Sequence, residues 1–131
     1  MNKPTFLRLW SATVGAMDAV TGLLLIFAPL FTLRLLGITP PSSDAVFISW
    51  IGVFVMSVGL SYGLALVHSR YGEPVWMFTA LVRLAVAVFV TAHVLDGSLE
   101  TRWILVGIAD AAVAILQYLI LRAGWWREVP P

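Results

Sequence analysis

Cysteine is missing altogether from these 131 residues, and charge is nearly as scarce, with Asp, Glu, Lys and Arg together making up 11%. The first absence excludes disulfides, thiolate metal sites and cysteine nucleophiles. The second excludes an ordinary water-facing surface, which draws on roughly a quarter charged residues. No long basic run occurs and the net charge is +1, so the sequence offers nothing for nucleic acid to hold. A nucleophile motif, a glycine-rich phosphate loop and a paired H-x-x-x-H are also lacking. The expectation is therefore a non-catalytic protein with no cofactor and no metal. Of the two histidines, His68 falls in a polar loop and His93 has no second ligand at metal spacing.

What fills the chain is apolar. Hydrophobic residues make up 60% of it and the mean hydropathy is +0.94. A hydrocarbon core is crossed by about 20 predominantly apolar residues in a helix. Four such stretches are present, at about 7–28, 45–67, 74–95 and 99–122. They predict an all-α integral membrane protein, one transmembrane domain over 1–131, with four transmembrane helices in an antiparallel bundle. The first stretch has no small-residue cleavage site after it and carries Asp18 at its centre, so it reads as a retained span.

Punctuation supports these bounds. Pro29 breaks the first span and suits the first turn of a short interfacial helix over 29–36, with Gly37 at its C′ position. After the Pro40-Pro41 turn, Ser42, Ser43 and Asp44 offer capping oxygens for the second span. Lys and Arg set the orientation. Lys3, Arg8, Arg70, Arg122 and Arg127 fall on the side of both termini, against Arg34 and Arg102 on the other, which predicts cytoplasmic ends. Trp10, Trp76, Trp125 and Trp126 at the inner boundary, and Trp50 and Trp103 at the outer, read as headgroup-level anchors.

Membrane helices associate through small residues and polar contacts, because lipid tails are as apolar as leucine. Ser11, Gly15, Asp18 and Gly22 recur at three- and four-residue steps in the first span. Ser49, Gly52, Met56, Gly59 and Gly63 do so in the second, and Gly107, Asp110, Ala114 and Gln117 in the fourth. The third span carries the weaker series Thr79, Ala80, Arg83 and Ala87. These stripes are expected to face inward, the six glycines 15, 22, 52, 59, 63 and 107 serving helix packing.

Three ionisable residues stand near mid-depth: Asp18, Arg83 and Asp110. An isolated charge there costs at least about 2.5–3.5 kcal/mol, so such residues turn inward and find partners. Arg83 and Asp110, on consecutive antiparallel spans at matching depth, are expected to pair, since a guanidinium fork suits a carboxylate. Asp18 then supplies an uncompensated negative charge. Gln117, two turns beyond Asp110, extends a polar track toward the terminal end, with Ser57 or Ser61 as candidate partners.

Four short-looped helices, the Pro29 break, Arg83 in the third span and Asp110 in the fourth together resemble the small DoxX-like four-helix membrane proteins. That resemblance implies a bacterial inner-membrane location and a complex partner, some members being associated with membrane oxidoreductase complexes. Three functions compete. The first is a non-catalytic subunit or interaction protein, whose partners are the lipid bilayer and other membrane subunits or a second copy of itself. The second is a small homodimeric transporter or proton-linked carrier using Asp18, Arg83 and Asp110. The third is a quinone, pigment or lipid groove lined by Met56, Phe47, Phe78 or Phe89.

Overall fold

A computed structural model describes residues 1–40 and 45–129 of the chain. Among these residues the regular elements are all helical. Five α-helices are present: α1 (Lys3–Phe27), α2 (Pro29–Leu35), α3 (Ala45–Val67), α4 (Gly72–Leu95) and α5 (Ile104–Arg122). Short 3₁₀ turns at Ser69–Tyr71, Thr101–Trp103 and Trp125–Glu128 accompany them. Four helical stretches, built on α1, α3, α4 and α5, are long and apolar enough to cross a membrane.

The helix ends follow local chemistry more closely than hydropathy does. α1 starts four residues before its apolar run because the Asn2 side chain accepts from the Thr5 backbone N–H at 3.0 Å, and Pro4 suits the first turn. It ends where Pro29 opens α2. α2 closes in a Schellman motif: Gly37, at φ +71, donates to the Arg34 carbonyl, and Ile38 donates to that of Leu33. Leu33 and Ile38 are both buried and meet in one apolar cluster with Leu25. α4 begins two residues ahead of Pro74, which occupies a first turn where its missing N–H costs nothing. α5 begins five residues later than hydropathy suggests. The Glu100 carboxylate is drawn to the Thr39 backbone N–H at 2.9 Å, which ties this loop to the one after α2. The capping residues expected at 42–44 lie outside the described residues, as does Pro41 of the expected turn.

The closest backbone approaches are α1 to α3 and α4 to α5, with α3 also meeting α4. Along the first pair Gly15 opposes Gly59 and Gly22 opposes Gly52, so the two helices run in opposite directions. A β-carbon on Gly15 would stand 2.8 Å from Tyr62 Cβ and 2.9 Å from the Gly59 carbonyl oxygen. One on Gly52 would stand 2.8 Å from the Gly22 oxygen, and those on Gly22 and Gly59 would press on the backbone nitrogens of Met56 and Ala19. Such backbone-to-backbone contact is how membrane helices gain dispersion energy without a hydrophobic driving force. Ser49 adds a hydroxyl bond to the Ile26 carbonyl at 3.1 Å. The second pair packs less tightly. A β-carbon on Gly107 would meet its nearest neighbours, Thr91 Oγ1, Val90 Cγ1 and the Ala87 carbonyl oxygen, no closer than 3.3 Å.

Gly63 departs from the expected packing role. A side chain there would meet nothing within 4 Å. Four residues from Gly59, it drifts about 40° around the helix, enough to leave the line of contact with α1. Large apolar side chains such as Phe27, Phe54, Leu81 and Leu105 point away from the molecule.

Candidate functional site

The two helix pairs are joined by long polar side chains that cross between them. Arg83 on α4 is 6% exposed and Asp18 on α1 is 8% exposed. One terminal amino group of Arg83 donates to Asp18 Oδ2 and the other to Asp110 Oδ1 on α5. A single guanidinium thus bridges two carboxylates from two other helices. The expected Arg83–Asp110 pair is present, but Asp18 is not left over. The planar fork presents its two amino groups in divergent directions, and the helices place one acid before each.

One layer toward the termini, the Tyr62 hydroxyl on α3 donates to Gln117 Oε1 on α5 at 3.1 Å. The Gln117 amide donates to Thr79 Oγ1 on α4 at 3.2 Å, and that hydroxyl donates to the Val75 carbonyl at 2.9 Å. Tyr62, Thr79 and Gln117 are fully buried, so each needs these partners. Below them, the Trp76 indole N–H on α4 donates to Ser11 Oγ on α1 at 2.9 Å.

The polar track from Gln117 therefore exists, with partners other than the expected ones. Ser57 and Ser61 turn back to the Val53 and Val58 carbonyls of their own helix. A serine in an apolar helix satisfies itself this way when no polar group faces it. Tyr62 was the legible signal for the true track, standing three residues after Gly59 on the same helical face.

The tryptophans divide. Trp50 is exposed, and Trp103 packs on the Leu25, Leu33 and Ile38 cluster. Trp76 and Trp126, expected as lipid anchors, are instead buried, with ring centroids 5.5 Å apart and edge-on. Gly72 leaves the space that the Trp126 ring fills. Trp10 lies 6.5 Å from Trp76, and Phe6 stacks on Trp10 and meets Trp125 edge-on. This aromatic plug closes the end that carries both termini. Ion pairs from Lys3 to Glu128 at 2.7 Å and from Arg127 to Glu73 at 2.9 Å clasp it.

No family model, curated protein or solved structure matches this chain. The site must be understood from its own geometry. Phe47, Phe78 and Phe89, expected to line a ligand groove, are exposed on the outer faces of α3 and α4. A groove of about 260 Å³ opens elsewhere, on the seam of α1 and α3. Among the described residues, no group of three or more His, Asp or Glu gathers where it could hold a metal ion.

At the end opposite the termini, His93 lies 3.1 Å from Asp96 in the turn after α4. Hydrogen bonds from the Ser98 side chain and backbone, aided by His93, hold the Asp96 carboxyl below the usual aspartate range. His93 thus belongs to the turn that follows α4.

Proposed function

We propose that this chain is a non-catalytic, multi-pass integral membrane subunit or interaction protein of a larger membrane complex. In this reading α1, α3, α4 and α5 form an antiparallel transmembrane bundle, α2 lies along the interface, and the basic residues near Lys3 and Arg127 place both termini in the cytoplasm. A bacterial inner-membrane setting follows from the DoxX-like resemblance, which also implies a complex partner.

One observation carries the proposal: both terminal amino groups of Arg83 are engaged by carboxylates of the same chain. The charges at mid-depth hold helices to one another. The Arg83–Asp18 bond in particular joins α1 and α4, each of which packs most closely on a different neighbour. The outward faces are left apolar, suited to lipid and to neighbouring spans.

The test is photo-crosslinking in native membranes from positions on the outward faces, such as Phe54 and Leu81, followed by purification in mild detergent. The reading predicts one discrete adduct and a complex of fixed stoichiometry. A stable monomer with no adduct from any face would defeat it.

A second reading has its own observation. Two carboxylates face one guanidinium, and the buried Arg83 Nε has no hydrogen-bond partner among the described residues. An incompletely compensated polar centre suits a proton-linked carrier built as a homodimer. A pH-driven flux in liposomes that Asp18→Asn abolishes would favour it, and flux equal to empty vesicles would remove it.

A further inference from the structure

The groove on the α1–α3 seam is lined by Ala12, Ala16 and Ala19 of α1 and by Leu60, Gly63 and Leu66 of α3. Gly63 opens it, since a β-carbon there would touch nothing within 4 Å. Arg8 precedes Ala12 by four residues and Ala16 by eight, so it continues the same face of α1 about 12 Å along the axis from Ala16. Side chains on a helix lean toward its N-terminus, which carries the Arg8 guanidinium away from the groove and toward the level of the termini.

Arg8 differs from the other cations at this end. Lys3 and Arg127 are engaged by Glu128 and Glu73. Arg70 bonds the Tyr71 hydroxyl, and Arg122 stands over the Tyr118 ring at 6.0 Å. Arg8 is exposed and makes no hydrogen bond, ion pair or ring contact among the described residues. An unpaired cation therefore sits at the mouth of an apolar groove that begins one helical turn below it.

The geometry points to a binding site for one anionic phospholipid, its acyl chain lying along Ala12, Ala16 and Gly63 and its phosphate meeting Arg8. An acyl chain suits a groove whose two polar lining residues, Ser11 and Tyr62, already bond Trp76 and Gln117 in the interior, and a headgroup phosphate supplies a partner for the Arg8 charge. This inference rests on the membrane-spanning reading but not on the existence of a protein partner, so the two fail separately.

Native mass spectrometry of the full chain, equilibrated in mixed micelles of phosphatidylglycerol and phosphatidylcholine with matched acyl chains, tests it. The wild type is expected to retain phosphatidylglycerol preferentially. Arg8→Ala should reduce that preference about fivefold, and Arg8→Lys should keep most of it. Gly63→Leu, whose β-carbon enters open space and whose side chain would occupy the groove, should lower retention of both lipids, while Arg122→Ala should change neither. Equal retention of the two lipids by wild type would overturn the proposal. So would an Arg122→Ala loss as large as that of Arg8→Ala, which would mark general surface attraction. A dimer that Gly63→Leu converts to monomer with lipid retention unchanged would overturn it too, assigning the groove to a second copy of the chain.

Discussion

Arg83 on α4 and Asp18 on α1 bond each other across the interior, joining two helices that each pack most closely on a different neighbour. Their sequence separation of 65 residues equals that of Trp76 and Ser11, the other bond between the same helices. Two rungs at one constant offset mean that α1 and α4 run in the same direction. Their depth is therefore fixed at two points.

Removing either acid is expected to be much milder than removing the arginine. Asp18→Asn or Asp110→Asn leaves one carboxylate with one guanidinium, and should cost about 1.5–3 kcal/mol for the lost charged hydrogen bond. Thermal unfolding of the two variants in detergent, followed by circular dichroism, checks this. A cost above that of Arg83→Met would show that the carboxylates act separately.

The glycine seam makes a sharp contrast within one helix. Gly59→Ala presses a methyl group onto the Ala19 backbone and should destabilise by about 1–3 kcal/mol. Gly63→Ala enters open space and should be neutral or stabilising by up to about 1 kcal/mol, through helix propensity alone. Equal effects at the two positions would refute the assignment of this seam.

Trp76 and Ser11 offer an asymmetric pair. Ser11→Ala leaves the buried indole N–H without its acceptor, at a cost of about 1–3 kcal/mol. Trp76→Phe combined with Ser11→Ala removes both polar groups, so the double variant should cost less than the sum of the singles. Chemical denaturation of the three variants reads the difference.

The turn after α4 carries a pH dependence. The Asp96 carboxyl is held low in the folded chain, so its contribution to stability is complete above the unfolded aspartate pKa of about 3.9 and fades as pH falls through the lower folded value. Ser98→Ala removes the leading cause and should move the Asp96 titration upward toward the ordinary value. Side-chain carboxyl NMR in micelles follows it directly, and an unchanged midpoint would contradict the assignment.

Much of this arrangement was legible in the residues because mid-depth charges and small-residue steps have few places to go. Asp18, Arg83 and Asp110 could be ranked by depth from span lengths alone, and Gly15, Gly22, Gly52 and Gly59 by their recurrence on one face. Other features were hidden for physical reasons. Whether Arg83 served one acid or two depended on which helices lie diagonally across the interior, and sequence spacing along single helices does not carry that. Trp76 and Trp126 looked like headgroup anchors by depth. Their burial arises from Gly72 and from the short turn that folds Trp125–Glu128 back over the helix ends, both tertiary matters. Gly63 shared its spacing with Gly59, and only the partner's position separates a contact from a groove.

The central claim is that Arg83, held on its own side by the half-buried Asp110, ties the two helix pairs together through the buried Asp18, and the most direct measurement compares Arg83→Met with the triple variant Arg83→Met, Asp18→Asn, Asp110→Asn in membranes. The single variant leaves two carboxylates uncompensated and should lose about 3–5 kcal/mol of stability. The triple variant leaves no charge there and should regain most of that loss in thermal unfolding. A triple variant as unstable as the single one, or a single one as stable as wild type, would contradict the account.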